Sequence, residues 1–126
     1  MNYRIINFYK YMAYTNLNYL QNITGGDTDT IRELIQLFIE QIPEFSGNLR
    51  KHLQEGHYLE LGKEAHKAKS SVMIMGMDDL GWDLKALQLA TIAGAKVETY
   101  GDYVDRFEKE CSLAIEELQQ VLSKMK

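Results

Sequence analysis

The sequence has little of what a secreted, membrane-spanning or nucleic-acid-binding protein needs. Its 126 residues include one cysteine, so no internal disulfide can form, and a reducing compartment such as the cytoplasm is expected. No apolar run approaches the roughly 20 residues that span a bilayer, and no signal-peptide core is recognisable near the N-terminus. The formal net charge of −4 disfavours binding to nucleic acid through a generally basic surface. We therefore expect neither a membrane nor a nucleic acid as partner.

Apolar residues recur at helical spacing through most of the chain, beginning after the Gly25-Gly26-Asp27 turn. Repeated steps of three and four residues indicate amphipathic helices, and no alternating strand pattern interrupts them. The first helix is expected to carry apolar residues from Ile31 to Leu53, with a kink at Pro43 because proline removes one backbone hydrogen bond. Gly56 is expected to end it in a left-handed conformation, and the second helix is expected from Tyr58 to about Met75.

Two further helices complete the pattern. Asp78 or Asp79 is expected to cap the third helix, which ends near Gly94, and the fourth helix is expected to start near Asp102. Four amphipathic helices with mostly short connections predict an all-α fold, an antiparallel up-down four-helix bundle. The residues expected to face inward on the second, third and fourth helices are Leu61, Ala65, Ala68, Val72, Met75, Leu80, Leu84, Leu87, Thr91, Val104, Phe107, Cys111, Ala114, Leu118, Val121 and Met125.

The chain is expected to divide into two parts. Residues 1–16 form an N-terminal appendage, which we expect to be short, helical and packed on the bundle, and residues 17–126 form the bundle domain. The beginning of the chain is unusually rich in tyrosine. Five of the eight tyrosines lie there, namely Tyr3, Tyr9, Tyr11, Tyr14 and Tyr19.

His66 is the residue of the second helix best placed for chemistry. At about 100° per residue it points roughly 140° away from the centre of the buried stripe, so its imidazole is expected to face water. Gly62 and Ser70 lie one turn to either side on the same face, and their small size is expected to leave the ring accessible to another protein. Lys69, one turn on, places an ammonium group where it could approach an anionic group held on the ring.

Other residues around His66 have two interpretations each. Lys63 and Lys67 either add positive charge near the ring or belong to a solvated face. Leu59 and Met73 lie two turns away at the same angle. They either form an apolar docking patch or pack against the first helix or the N-terminal appendage. Since a solvent-facing histidine on a helix is usually inert, its position alone assigns no chemistry.

The run Ala65-His66-Lys67-Ala68-Lys69-Ser70-Ser71, followed by Gly76 and Leu80, resembles the signature of histidine-containing phosphotransfer domains. In that signature a lysine lies three residues after the histidine, a small residue and a serine occupy the next two positions, and a glycine lies ten residues after the histidine. The resemblance covers most of the chain beyond its first dozen or so residues. Two positions depart from it: Ser70 replaces the commoner glycine, and Gln88 stands where many members carry glutamate.

The resemblance implies a phosphorelay intermediate without autonomous kinase activity. Nε2 of His66 would accept a phosphoryl group from a receiver aspartyl phosphate and pass it to another receiver, and Lys69 would stabilise the charge. Ser71 and Gly76 are structural positions of the motif, with Gly76 permitting close packing where the second helix turns into the third. No intrinsic cofactor or metal is implied, because the partner receiver brings Mg²⁺. The implied partners are response-regulator receiver domains, including one on a hybrid sensor kinase, and the implied state is a cytoplasmic monomer.

Three other functions compete with this one. A sensor-kinase fragment fits poorly, because Lys67 stands where an acidic residue normally follows a kinase histidine and no glycine-rich nucleotide-binding segment follows. A metal-binding bundle fits poorly, because His52, His57 and His66 show no paired spacing. The main alternative is a non-catalytic helical adaptor, in which His66 is incidental and nearby apolar residues bind a partner helix.

Overall fold

The computed structural model describes residues 12–125, and every regular element among them is helical. The all-α prediction is confirmed, and helices α2 to α5 correspond to the four predicted helices of a bundle. None of these helices has an apolar stretch of the length that crossing a bilayer requires. The elements are α1 Asn18–Thr24, α2 Thr28–Glu55, α3 Tyr58–Ile74, α4 Asp78–Ala93, a 3-10 turn Val97–Thr99 and α5 Tyr100–Lys124.

The long helix α2 has a sequence-encoded signal at each end. Asp27 precedes it, and its side chain accepts a hydrogen bond from the backbone N–H of Thr30. Gly56 follows it with a φ of 71°, the predicted left-handed conformation. The helix is unbroken across Pro43, as the continuous apolar phase of the sequence indicates.

The start of α4 differs from the prediction, whereas α5 starts close to the predicted position. Met77 is the N-cap of α4 and makes no side-chain cap hydrogen bond, so the prediction that Asp78 or Asp79 caps this helix is wrong. Both aspartates instead lie in its first turn, where their charge interacts favourably with the positive end of the helix dipole. Helix α5 begins at Tyr100, near the predicted Asp102, and the 3-10 turn Val97–Thr99 leads directly into it.

Helices α2 and α3 run in opposite directions. Gln41 of α2 accepts a hydrogen bond from Ser71 near the end of α3, at 3.2 Å. Asn48, further along α2, donates to Glu64, which lies earlier in α3, at 3.1 Å. These two contacts set the position of α3 along α2.

The core lies between α2, α3, α4 and α5, and every residue predicted to face inward on the last three helices is buried. Cys111 is among them, with no exposed surface, and the prediction of a buried thiol is confirmed. Burial raises the pKa of the Cys111 thiol to about 12. The thiolate, which is the reactive form, is therefore scarce at neutral pH.

The described part of the predicted appendage, residues 12–16, is not helical, so the prediction of helix there is wrong. This segment packs on the turn between α3 and α4, where the backbone N–H of Asn16 donates to the carbonyl of Met75 at 3.0 Å. The amide of Asn16 is thus bonded to the turn between α3 and α4, and not to a carbonyl one helical turn earlier. The rest of the appendage prediction falls on residues 1–11, outside the described residues.

Candidate functional site

His66 lies at the middle of α3 with its side chain exposed, as the helical phase predicts. The opposite side of the helix carries Leu61, Ala68 and Val72, which have no exposed surface and hold α3 against the core. Within residues 12–125 no hydrogen bond or ion pair occupies the imidazole. Both of its nitrogens are therefore available to an incoming molecule.

Lys69 lies one turn after His66 and is half-buried. Its Nζ atom is 5.4 Å from the centroid of the Trp82 ring on α4. An ammonium group is attracted to the face of an indole, so this contact holds Lys69 on the α4 side of the imidazole. No carboxylate of the described chain forms an ion pair with Lys69. Its positive charge is thus available to an anion on His66.

The other two lysines near the imidazole are paired with carboxylates. Nζ of Lys63 lies 3.3 Å from Glu60, and Nζ of Lys67 lies 3.8 Å from Glu64, in each case one turn back on α3. Their positive charges are therefore partly neutralised within the helix. Among these three lysines, Lys69 is the one that forms no ion pair with a carboxylate of the described chain.

Gly62 is buried, and the prediction that it lies on an open flank of the imidazole is wrong. A Cβ atom at this position would lie 2.0 Å from Oγ1 of Thr91 and 3.5 Å from Cα of Gln88, both on α4. The absence of a side chain at Gly62 therefore lets α3 and α4 approach each other closely. Ser70, on the other side of His66, is exposed as predicted.

Leu59 and Met73, the two residues of the docking interpretation, differ in exposure. Leu59 is 60% exposed. Met73 is half-buried, and its Cε atom would lie 2.6 Å from a Cβ atom at Gly81 of α4. Met73 therefore packs against α4, a neighbour that neither interpretation names. Of the predicted docking pair, Leu59 alone is strongly exposed.

An open groove with a volume of about 680 Å³ begins one turn from His66. It lies between the second half of α3 and the segment that leads into α1. The sequence does not predict it, because its walls come from parts of the chain that are distant in sequence. The side chains that face it include Lys69, Ser70 and Met73 from α3 and Asn16, Asn18 and Tyr19 from the N-terminal wall.

The two structural positions of the motif make contacts outside α3. Ser71 donates to Gln41 of α2. Gly76 has a φ of +75°, and a Cβ atom there would lie 2.1 Å from the carbonyl oxygen of Asn16. Gly76 thus permits close packing at the end of α3, as the resemblance implies, but the chain that approaches it is the N-terminal segment rather than α4.

Two residues of α4 belong to the site although spacing along the sequence does not predict this. Trp82 is 61% exposed and contacts Lys69, and it falls two positions after the inward-facing Leu80, off the inward phase of its helix. In the sequence, Gln88 stands out only as a departure from the family pattern. Its Oε1 atom is buried without a hydrogen-bond partner in the described part of the chain, and its backbone lies beside Gly62.

The other two histidines lie near each other, where α2 turns into α3. The ring centroids of His52 and His57 are 6.4 Å apart, and Nδ1 of His57 is 3.2 Å from the carboxylate of Glu55. Among residues 12–125, no three histidine, cysteine or acidic side chains come together as a metal site.

Comparisons of the chain with protein-family models, with curated proteins and with solved structures find no match. The function is therefore inferred from the residues and geometry of the site itself.

Proposed function

We propose that this chain is a phosphorelay intermediate of the kind that histidine-containing phosphotransfer domains represent. It accepts a phosphoryl group on His66 from a receiver aspartyl phosphate and passes it to another receiver domain in the cytoplasm. The observation that carries the proposal is the exposed imidazole at the middle of α3, with the unpaired ammonium group of Lys69 one turn away. The match of the run from Ala65 to Ser71 to the family signature supports it.

The proposed transfer is a displacement at phosphorus. The lone pair of Nε2 of His66 forms the new P–N bond while the bond from phosphorus to the aspartyl oxygen breaks, and the carboxylate leaves with the bonding electrons. Negative charge on the phosphoryl oxygens is stabilised by the ammonium group of Lys69. Mg²⁺ on the partner receiver supplies further positive charge. The second transfer is the same displacement in reverse, with the acceptor aspartate as nucleophile.

Access to His66 is provided by the surface around it. Ser70 is exposed and small, and the groove that it lines offers a recess one turn away from the imidazole. Leu59, near the start of α3, gives an apolar contact on the other side. A receiver places its phosphorylated aspartate in an acidic pocket, and such a pocket is attracted to the charge of Lys69.

Phosphotransfer from a panel of receiver domains, each phosphorylated with acetyl phosphate, tests the proposal. At least one receiver is expected to lose its phosphoryl group to the wild-type chain and to leave an acid-labile, alkali-stable phosphohistidine. His66→Gln is expected to accept none. His57→Gln, which removes an exposed imidazole immediately before the same helix, is expected to accept as much as the wild type. Phosphohistidine on the His66→Gln variant, its loss from the His57→Gln variant, or no transfer from any receiver would contradict the proposal.

The access requirement has its own test. In Ser70→Trp an indole stands beside the imidazole and at the mouth of the groove, so transfer from the active receiver is expected to slow strongly while the helical circular dichroism is unchanged. Ser112→Trp places the same bulk at an exposed position of α5 and is expected to transfer normally. Normal transfer by Ser70→Trp would show that the partner does not approach over this surface.

A further inference from the structure

Helix α4 is apolar on two opposite faces. Its inner leucines lie in the core. Its outer face carries Trp82, Leu89 and Ile92, which are 61%, 53% and 65% exposed. Large apolar side chains exposed together on the face of a helix that points away from the core indicate a surface that another molecule covers.

The outer face of α4 has a regular pattern of residues. Asp79, Trp82, Ala86, Leu89 and Ala93 follow one another at alternating steps of three and four, the spacing of the contact positions in a coiled coil, and all five are exposed. We call these five residues the outer seam. Between its ends the seam carries no charge, and large side chains alternate with small ones.

We propose that the outer seam binds a second copy of this chain, in an antiparallel pair of α4 helices related by a two-fold axis. In an antiparallel register whose two-fold axis passes between Leu87 and Gln88, Trp82 faces the second copy's Ala93, and Leu89 faces the second copy's Ala86. Each large side chain thus meets a small one, and the two-fold axis repeats both contacts. Alternating large and small residues across a helix pair is what close packing of two helices requires.

The same register matches charge as well as size. The exposed carboxylate of Asp79 lies at the end of the seam where Lys96 of the second copy follows its own α4, and that lysine is also exposed. Asp83, the next acidic residue of α4, is paired with Arg106 of α5 at 2.6 Å and so adds no unpaired negative charge beside the seam. Because the seam complements itself in both respects, the occupant that fits it is another copy of the chain.

The seam is short, and its area sets the strength of the association. Five side chains on each copy bury on the order of 1,000 Å² in total, which is the range of weak and reversible interfaces. The dimer is therefore expected to dissociate at micromolar concentrations, and it differs from the monomer that the family resemblance implies. His66 lies on α3, outside the seam, so this proposal does not depend on the proposed phosphotransfer.

Sedimentation velocity on the full chain, from about 1 µM to about 1 mM, measures the association across the expected range of dissociation constants. Trp82 is the only tryptophan, so its fluorescence reports directly on the seam. With rising concentration the wild type is expected to sediment increasingly as a dimer, while tryptophan emission shifts to shorter wavelength. Leu89→Glu is expected to remain a monomer with unshifted emission. Leu37→Glu, a matched change at a residue of α2 that is 47% exposed, is expected to dimerise normally.

Two further variants make the outcome decisive. Ala93→Glu changes an exposed residue at the other end of the seam and is expected to stay monomeric, so a folding defect in Leu89→Glu would not remove the test. His66→Gln is expected to dimerise like the wild type, whether or not the phosphotransfer proposal holds. A wild type that stays monomeric throughout, a dimer that survives both seam variants, or a dimer that Leu37→Glu abolishes would overturn the proposal.

Discussion

Gly62 of α3 lies so close to Thr91 of α4 that a Cβ atom at residue 62 would stand 2.0 Å from the threonine hydroxyl oxygen. At the other end of the same helix pair the roles are exchanged, because Gly81 of α4 faces the Cε atom of Met73 of α3, 2.6 Å from a Cβ atom at residue 81. One glycine on each helix thus sets the close spacing of α3 and α4. His66 lies between the two contacts along α3, so this spacing fixes its position relative to α4.

Gly62→Ala is expected to lower the free energy of unfolding by about 1–3 kcal/mol, because the added methyl group overlaps Thr91 and the helices must separate. Adding Thr91→Ala removes the overlapping hydroxyl and is expected to recover part of that loss. Gly81→Ala is the matched control. It is expected to cost less, because the flexible end of Met73 can move away. Urea unfolding of the single variants and of the double variant measures the coupling, and strictly additive costs would contradict the contact.

Gly76 and Gly94 allow the cost of a positive φ to be separated from the cost of a steric overlap. Both have positive φ, +75° and +63°, which alanine adopts at a cost of about 1–2 kcal/mol. A Cβ atom at Gly94 meets nothing within 4 Å, whereas one at Gly76 overlaps the backbone of Asn16. Gly94→Ala is therefore expected to cost the conformational strain alone. Gly76→Ala is expected to cost clearly more and to release residues 12–16 from the bundle, which hydrogen exchange at the amide of Asn16 would detect. Equal costs would contradict this difference.

The fold was largely predictable because burial on a helix follows its period. The inward phase of α4, set by Leu80, Leu84, Leu87 and Thr91, follows from spacing alone, and all four residues are buried. The cap of this helix was not predictable in the same way. An aspartate just before an apolar run suits both the N-cap and the first turn of a helix. Which of the two positions it occupies depends on the backbone conformation of the turn at Gly76.

The sequence predicts that the side chain of His66 points away from the core, but it does not predict which residues surround that side chain. A helical wheel gives the angle between a residue and the core, which is why the imidazole was expected to be exposed. It does not say which helix lies beside each flank. Gly62 and Trp82 depend on that information, since the first is covered by α4 and the second reaches Lys69 from it. Spacing within one helix cannot supply a contact that two helices make together.

Variants of Lys69 and Lys63 distinguish a specific effect of the Lys69 charge on phosphotransfer from an effect of any positive charge near His66. Lys69→Ala is expected to slow phosphotransfer about 10–100-fold, because one hydrogen bond to a charged group is worth about 1.5–3 kcal/mol. Lys63→Ala removes a lysine already paired with Glu60 and is expected to change the rate less than about twofold. Single-turnover rates from the active receiver measure both effects. Equal slowing in the two variants would show that general positive charge, and not Lys69, assists the transfer.

Trp82 is expected to act on the transfer through Lys69. Trp82→Leu removes an exposed cation–π contact worth about 0.5–1 kcal/mol, so transfer is expected to slow about two- to fivefold at concentrations where the chain is monomeric. In the Lys69→Ala background the same change is expected to have no further effect. A full additional slowing in the double variant would mean that Trp82 contacts the partner directly.

Glu108 of α5 connects this helix to α2, since it accepts hydrogen bonds from Arg50 and Ser46. Burial raises the pKa of Glu108, but the hydrogen bonds from Arg50 and Ser46 lower it more, and the resulting pKa lies below the ordinary value of a glutamate. A carboxylate with a lowered pKa in the folded state contributes stability above the pKa of the unfolded chain. That contribution is lost as the pH falls through the folded-state pKa.

Glu108→Gln is therefore expected to lower the free energy of unfolding by about 0.5–1 kcal/mol at pH 7, the range of partly exposed ion pairs. The difference from the wild type is expected to shrink below the ordinary glutamate pKa of about 4.3 and to vanish at lower pH, because the wild-type carboxyl group is then protonated too. Urea unfolding at a series of pH values between neutral and acid measures this difference. Glu116→Gln, at an exposed position of the same helix, is expected to show no such pH dependence. A constant difference between Glu108→Gln and the wild type at every pH would mean that packing of the side chain, and not its charge, joins α5 to α2.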